Sequence, residues 1–320
     1  ESRWSDRDAA AMARHYAKSG VPEDLALRVY TTRLLGNESR LVRHGGGNTS
    51  LKTRMTDIAG DEVEVLRVKG SGWDMGAIEP AGLPAVRLGP LRRLANLDRL
   101  SDEDMVNAQR GALLDSAAPN PSVETLLHAF LPHAYIDHTH ANSVLALTDQ
   151  ANGPELCAEV YGERLALVPY LMPGFGLAKL ARKVFDGHAD CEGLILLKHG
   201  IFSFGASARE AYERMIEFAT MAEKRLTRGR RKFIAGAELP PRIAPVAEVA
   251  PILRGLVADK AGGAQSWRRL VFAYRRKPEI LDFIHGRDVD RYTSAGVVTP
   301  DHVIRTKRIP AVVDPSDPRP

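Results

Sequence analysis

Cysteine is scarce in this chain. Of its 320 residues only Cys157 and Cys191 are cysteines, and they lie in unrelated sequence contexts. A disulfide framework or a zinc site built from cysteines needs more thiols at defined spacings, so both are excluded. Free thiols are typical of a reducing compartment, and we therefore expect the protein to be cytoplasmic.

Long apolar runs and nucleotide-binding motifs are also missing. No apolar stretch approaches the roughly 18 residues that cross a bilayer, and the N-terminal segment is charged, so we expect neither membrane binding nor a signal peptide. Gly70, Gly72 and Gly76 follow a predicted strand, but their Gly-x-Gly-x-x-x-Gly spacing does not fit a dinucleotide fingerprint. The chain contains no P-loop pattern.

The charge of the chain is nearly balanced, with 44 Lys+Arg, 40 Asp+Glu and a net charge of +4. All of the excess falls between residues 239 and 320, which contain 14 basic and 9 acidic residues. That region has few interleaved aromatics and no recognisable nucleic-acid module, so we expect no nucleic-acid partner. Pro240-Pro241 predicts a boundary between a domain over residues 1–238 and a basic extension over residues 239–320, which ends in a proline-rich tail or linker.

Apolar spacing predicts a chain of mixed helices and strands. The predicted helices cover residues 22–35, 101–115, 122–130, 141–149, 175–185, 207–233, 246–258 and 278–285. The predicted strands cover residues 50–55, 62–68, 134–136 with the histidines that follow, 165–169, 192–198 continued over 201–204, and 267–274.

Two histidines, His138 and His140, follow the apolar run of the third strand. Residues i and i+2 of a strand point to the same side, so the imidazoles should stand side by side, roughly 7 Å apart at Cα, and reach one metal ion. His199 ends another strand-like run, and three imidazoles with an open fourth position are typical of catalytic zinc. The pair alone is a weak indication, because an ordinary core or surface role explains any single histidine.

Five short motifs occur in a fixed order along the chain. They are Gly46-Gly47-Asn48-Thr49-Ser50, Lys69-Gly70-Ser71-Gly72, Pro121-Ser122-x-Glu124, His138-x-His140 and Lys198-His199-Gly200. Together they resemble the class II aldolase/adducin family over roughly residues 21–231. The resemblance implies an α/β fold, with three α/β/α layers around a central, mainly antiparallel sheet, and a C-terminal α/β extension.

The same resemblance implies a role for each matched residue. Glu124 matches the catalytic carboxylate, although an acidic residue in the first turn of a helix is also favourable by itself. His138, His140 and His199 match the zinc ligands, and another divalent metal could take the place of zinc. The implied substrate- and phosphate-binding residues are Asn48, Ser50, Ser71, Gly72 and Ser122.

The stretch Thr299–Lys307 is similar to the aldolase half of the bifunctional rhamnulose-1-phosphate aldolase/alcohol dehydrogenases. This implies a zinc-dependent lyase of carbohydrate metabolism, in rhamnose catabolism. It would cleave a ketose 1-phosphate such as rhamnulose 1-phosphate to dihydroxyacetone phosphate and an aldehyde. The partner is then a small sugar phosphate, and the family resemblance implies a homo-oligomer, with a tetramer favoured.

Alternatives to this interpretation stay open. The same scaffold carries sugar-phosphate epimerases, decarboxylases and dehydratases that use the metal in related ways, and non-catalytic adducin-like interaction modules. The group that protonates the leaving oxygen is also undecided. Family members take it from a neighbouring subunit, and Tyr161, Tyr170 and Tyr292 are the candidates here.

Overall fold

The computed structural model of the protein describes residues 1–43, 45–228, 243–260 and 267–312. Within these residues, seven strands form one sheet: β1 Asn48–Thr56, β2 Glu62–Val68, β3 Ala85–Arg87, β4 Tyr135–Thr139, β5 Leu165–Val168, β6 Gly193–Leu196 and β7 Gly200–Gly205. Two short strands, β8 Asp259–Lys260 and β9 Trp267–Arg268, pair separately.

The order of strands in the main sheet is β3-β2-β1-β4-β7-β6-β5. Every neighbouring pair is antiparallel except β5 and β6, which run parallel. The prediction of a mainly antiparallel central sheet is therefore confirmed. Strands β1, β4 and β7 lie in the middle of the sheet, where both faces can be covered.

Helices cover both faces of this sheet. In chain order, the helices of the described residues are α1 Asp6–Ala17, α2 Glu23–Gly36, α3 Leu88–Arg93, α4 Asp102–Gly111, α5 Thr125–Phe130, α6 Asn142–Thr148, α7 Gly153–Tyr161, α8 Phe175–Asp186, α9 Ala208–Thr227, α10 Val246–Leu256, α11 Pro278–Ile284, α12 Val289–Ser294 and α13 Pro300–Arg305, of which α10, α11 and α12 belong to a separate compact unit. Ile136 of β4 packs in the core beneath α3, α5 and α8, whereas its neighbour Tyr135 packs in the core beneath α1 and α2. This alternation confirms the three α/β/α layers. Among the described helices, none combines the length and hydrophobicity needed to cross a bilayer.

The chain divides into two compact units. The first contains Glu1–Gly229 together with Val297–Arg308, and the second contains Arg230–Gly296 with Ile309–Pro320. The boundary predicted after residue 238 falls among residues 229–242, outside the described residues, and stays a prediction. The Val297–Arg308 segment, which the sequence assigns to the extension, packs within the first unit.

The predicted strand over residues 192–198 and 201–204 is wrong in one respect. The chain does not continue in one direction but reverses, because β6 and β7 form an antiparallel hairpin. Lys198 makes the reversal with a φ of 60°, a left-handed conformation that few residues with side chains adopt. An apolar run signals burial but not direction, so the sequence pattern did not reveal the turn.

Three other predicted elements differ at their ends. The helix predicted from residue 122 begins at Thr125, which places Glu124 at the N-cap position. The strand predicted over residues 267–274 is reduced to the two residues of β9, for lack of a longer partner strand. Helix α9 ends at Thr227, and the rest of its predicted range beyond residue 228 lies outside the described residues.

A buried ion pair fixes β4 to the helix layer. Arg28 of α2 lies 2.6 Å from Asp137 of β4, and both side chains are fully buried. Burial raises the pKa of Asp137, and the guanidinium opposes that rise. Removing either partner would leave the other charge buried without a counter-ion. Because a shift of β4 would separate the two groups, the pair holds β4 in one register.

A buried histidine connects α5 to β1. The Nδ1 of His128 lies 2.7 Å from the Ser50 hydroxyl, and its Nε2 contacts the amide oxygen of Asn48. An amide oxygen only accepts, so Nε2 donates and Nδ1 accepts from Ser50. Burial, with a smaller contribution from Lys52, lowers the pKa of His128 to about 3. The ring of His128 is therefore neutral in the folded protein at neutral pH.

We predict that this histidine makes the fold sensitive to acid. The unfolded chain binds a proton at His128 below about pH 6.5 and the folded chain only near pH 3, so stability falls as the pH drops through that interval. The loss is at most about 5 kcal/mol, at about 1.4 kcal/mol per pKa unit. In urea unfolding of the metal-free protein, His128→Gln should be less stable than wild type at pH 7, and the difference should shrink at pH 4.5.

The control is Phe130→Leu, a buried change on the same helix that introduces no titrating group. Its stability deficit should be the same at both pH values. A deficit of His128→Gln that also stays constant would contradict the prediction.

Candidate metal centre

Three central strands bring the histidines to one edge of the sheet. Strand β1 begins at Asn48, β4 ends at Thr139 and β7 begins at Gly200. Because these strands are antiparallel, the start of β1, the end of β4 and the start of β7 meet at the same edge. The register confirms this, since Asn48 pairs with His138 and Thr139 pairs with Ile201.

The predicted ligands form a buried cluster at that edge. His138 is the second-last residue of β4, His140 directly follows Thr139 at the end of that strand, and His199 directly precedes β7. One nitrogen from each ring lies within 4.8 Å of the others, and all three residues are buried. The Nε2 atoms of His138 and His140 are 3.1 Å apart. The structure therefore brings together the three residues that the sequence predicted as ligands.

The positions of the protons show that this cluster fits a metal ion. The Nδ1 of His138 lies 3.1 Å from the carbonyl oxygen of Ile201, and the Nδ1 of His140 lies 2.7 Å from Oδ1 of Asp301. Both oxygens accept, so both Nδ1 atoms carry the hydrogen and both Nε2 atoms present lone pairs. Burial lowers the pKa of His138 well below its usual value, which keeps this ring neutral. Two lone pairs at 3.1 Å repel each other unless a cation lies between them.

The carboxylate of Glu124 completes the cluster. Its Oε1 is 3.1 Å from Nε2 of His199, and its Oε2 is 3.4 Å from Nε2 of His138. Oε2 also accepts a 2.6 Å hydrogen bond from the Asn48 amide. Burial alone would raise the pKa of Glu124, but the imidazoles outweigh this effect and hold the pKa well below its usual value. An ionised carboxylate thus lies beside the lone pairs of the histidines.

A glycine lets the rings approach the sheet. A Cβ on Gly200 would lie 2.5 Å from the Thr139 carbonyl oxygen, 2.9 Å from Cε1 of His138 and 3.1 Å from Cδ2 of His140. No side chain fits in that space, so the Lys-His-Gly motif reflects packing around the rings.

A cavity of about 350 Å³ opens beside Glu124 and His140. The residues predicted to bind substrate that line it are Asn48, Ser71, Gly72 and Ser122. Backbone hydrogen bonds join the two loops concerned, since Ser71 donates to the Asn120 carbonyl and Ser122 donates to the Lys69 carbonyl. The amide of Ser71 is therefore occupied by the protein, and its exposed hydroxyl is the group that faces a ligand.

The structure does not bring Ser50 to this cavity. Its hydroxyl is fully buried and bonds to His128, which in turn holds Asn48. Sequence analysis also missed two residues of the site. Lys69 lines the cavity with its ammonium 3.2 Å from the Gly45 carbonyl, and its place directly before Gly-x-Gly was the available signal. No sequence signal pointed to His128, because it occupies an ordinary buried position of a short helix.

The tyrosine candidates for the second proton donor have different surroundings. Tyr161 is buried, its hydroxyl donates to the Phe218 carbonyl, and burial raises its pKa, so it is unsuited to this role. Tyr292 lies in the second compact unit, where its hydroxyl contacts the Phe283 carbonyl. Tyr170 is 54% exposed on the loop after β5.

Two family descriptions match the chain. Residues 26–226 match the family described as "Class II Aldolase and Adducin N-terminal domain", and residues 244–319 match "Aldolase class II, second domain". The first match covers more than half of the chain. The chain therefore belongs to the class II aldolase and adducin family, which confirms the resemblance that the five sequence motifs indicated.

The chain is also similar to two individual proteins. The chain is 31% identical over 301 residues to a Bacillus subtilis (strain 168) protein named "Uncharacterized oxidoreductase YuxG". The match covers 92% of this chain and 43% of that relative, so the chain spans less than half of its length. It is also similar to the N-terminal class II aldolase domain of a conserved protein from Thermoplasma acidophilum. There the identity is 38% and the TM-score 0.61, over 63% of this chain and 93% of the other.

We predict that the cluster binds one divalent ion per chain. At a Zn²⁺ concentration 100 times the dissociation constant, binding should stabilise the folded protein by about 2.7 kcal/mol. In His199→Ala, metal affinity should fall by more than the roughly 10–100-fold that loss of an outer hydrogen bond costs. Metal titration and thermal unfolding of both proteins measure these effects.

The matched control is His188→Gln, which removes an exposed histidine outside the cluster. It should bind metal as wild type does. Equal stabilisation of wild type and His199→Ala by Zn²⁺ would place the metal elsewhere.

Proposed function

We propose that the protein is a zinc-dependent aldolase that cleaves a ketose 1-phosphate, such as rhamnulose 1-phosphate, to dihydroxyacetone phosphate and an aldehyde. One observation carries the proposal. The carboxylate of Glu124 contacts His138 and His199 on one side and lines the polar cavity on the other. A base placed between a metal-binding cluster and an anion-binding cavity suits a reaction at a carbon next to a carbonyl, in a substrate that carries a phosphate on the far side of that carbonyl.

The cavity has the groups that a phosphate monoester needs. The hydroxyls of Ser71 and Ser122 and the backbone at Gly72 are hydrogen-bonding groups, and Lys69 adds a positive charge. Gly72 has a φ of 86° and no atom near its missing Cβ, so the loop stays open to a ligand. Binding of this remote group would fix the reacting carbons relative to Glu124 and raise the rate through orientation.

Different residues of the chain have different roles in this reaction. His138, His140 and His199 would hold the zinc ion, which when bound supplies a Lewis acid that stabilises the enediolate charge. Glu124 would deliver the proton to the carbon released by carbon–carbon cleavage, and Asn48 holds that carboxylate by its hydrogen bond. In the cleavage direction, the hydroxyl that becomes the aldehyde oxygen loses its proton to a separate group, and in the reverse direction that same group is the second proton donor. We propose Tyr170 of a neighbouring subunit for that role, in a homo-oligomer with a tetramer favoured.

Related reactions use the same parts, and the product distinguishes them. An epimerase would return a sugar phosphate of the same size, a decarboxylase would release carbon dioxide, and a dehydratase would release water. An adducin-like module without chemistry would not need an intact cluster of three histidines and a carboxylate.

We predict that Glu124→Gln abolishes turnover while metal stays bound. The amide keeps the shape of the side chain and a hydrogen bond to Asn48, but it cannot transfer a proton. The kcat for release of dihydroxyacetone phosphate from rhamnulose 1-phosphate should fall by about 10²–10⁴-fold. Metal content, measured on the same preparation, should stay close to one ion per chain.

Glu155→Gln, an exposed change on α7, provides the control and should keep wild-type kcat. If Glu124→Gln retains wild-type turnover, the proposed role of Glu124 is wrong. If wild-type protein with bound metal releases no dihydroxyacetone phosphate from any ketose 1-phosphate, the aldolase itself is contradicted.

A second prediction concerns the phosphate. Ser71→Ala should raise KM for the phosphorylated ketose by about tenfold or more, because a hydrogen bond to a charged group contributes about 1.5–3 kcal/mol. Inhibition by inorganic phosphate should weaken by the same factor. The exposed Ser116→Ala should change neither value. Equal KM values for Ser71→Ala and wild type would show that the phosphate, if present in the substrate, binds elsewhere.

A further inference from the structure

One carboxylate of the metal centre comes from far along the chain. Asp301 lies in the Val297–Arg308 segment, which packs within the first compact unit. Its side chain is 1% exposed, and Oδ1 lies 2.7 Å from Nδ1 of His140. The other oxygen, Oδ2, accepts a 2.9 Å hydrogen bond from the backbone amide of Arg43 at the start of the glycine-rich loop.

The surroundings of Asp301 are built for this contact. A buried carboxylate is costly unless its oxygens are hydrogen-bonded, and here each oxygen has a partner. Gly46 provides the space, because a Cβ at that position would lie 1.4 Å from Oδ1 of Asp301 and 3.1 Å from Nδ1 of His140. Thr299 is also buried, and its hydroxyl lies 2.7 Å from Nδ1 of His302, which organises the turn that presents Asp301.

The direction of the contact decides what Asp301 can do. It approaches the Nδ1 side of His140, whereas Nε2 of that ring faces His138 at 3.1 Å. The two nitrogens of an imidazole point away from each other, so Asp301 is not placed to ligate an ion held between the Nε2 atoms. Its contact acts through His140.

We propose that Asp301 is a positioning residue of the metal centre, so that the Val297–Arg308 segment completes a site whose ligands all lie in the N-terminal part of the chain. As an acceptor, the carboxylate places the hydrogen of His140 on Nδ1 and leaves the Nε2 lone pair for the metal. It also fixes the orientation of the ring. Outer hydrogen bonds of this kind typically contribute about 10–100-fold to metal affinity. The inference rests on His140 being a ligand in the proposed function, but not on the reaction catalysed.

The test uses the full chain with Co²⁺ as the probe and no substrate. Affinity is measured by competition with a chelator, and the visible absorption of bound Co²⁺ reports the ligand geometry. Asp301→Ala should weaken Co²⁺ binding by about 10–100-fold and change the absorption band. Asp301→Asn, which keeps an oxygen acceptor without the charge, should fall between Asp301→Ala and wild type. The exposed Asp282→Asn should match wild type.

A second route disturbs the same contact without removing the carboxylate. Gly46→Ala places a methyl group where Oδ1 of Asp301 lies, so it should weaken Co²⁺ binding about as much as Asp301→Ala. The Gly46→Ala/Asp301→Ala double variant should bind Co²⁺ about as weakly as Asp301→Ala alone, because the carboxylate that the new methyl group displaces is already absent. If Asp301→Ala does not fold, the single variants Gly46→Ala and Asp301→Asn still test the contact.

Two results would overturn the proposal. One is folded Asp301→Ala that binds Co²⁺ with wild-type affinity and absorption. The other is a double variant in which the two losses multiply, which would show that Gly46 acts by another route. Failure of the aldolase proposal would instead appear as wild-type protein that binds metal but cleaves no ketose phosphate.

Discussion

Two unprotonated imidazole nitrogens face each other in a buried space at the edge of the sheet. The Nε2 atoms of His138 and His140 face each other at 3.1 Å while their other nitrogens donate to oxygen acceptors. The carboxylate of Glu124 adds negative charge to the same place. A protein interior does not stabilise such an arrangement by itself, because burial penalises charge and like dipoles repel. A divalent cation removes both penalties.

The rest of the fold keeps these groups from moving apart. The ion pair of Arg28 and Asp137 holds β4 in register, and Gly200 removes the side chain that would separate the rings. The chain from Ser50 through His128 to Asn48 orients the amide that holds Glu124. The stability of the fold and the geometry of the site thus share the same interactions. The cavity beside Glu124 then gives a substrate access to a centre that is otherwise buried.

Sequence could predict the parts of the site that follow from local periodicity. The spacing of His138 and His140 on a strand placed both rings on one side, and the edge of the sheet where they lie follows from antiparallel pairing. The turn at Lys198 was not predictable, because an apolar run carries no sign of direction. The contact between Asp301 and His140 was not predictable for another reason. The two residues are more than 150 positions apart in the sequence, and only the folded structure brings their side chains together. The role of Ser50 changed because its hydroxyl points into the core and not into the cavity.

We infer that three imidazoles of one chain hold a divalent metal ion at the edge of the sheet. X-ray absorption at the zinc edge of the metal-loaded, substrate-free protein measures these ligands. We expect a first shell with three imidazole nitrogens at about 2.0–2.1 Å and oxygen in the remaining position. A first shell without imidazole nitrogens, or one that contains sulfur at about 2.3 Å, would contradict it.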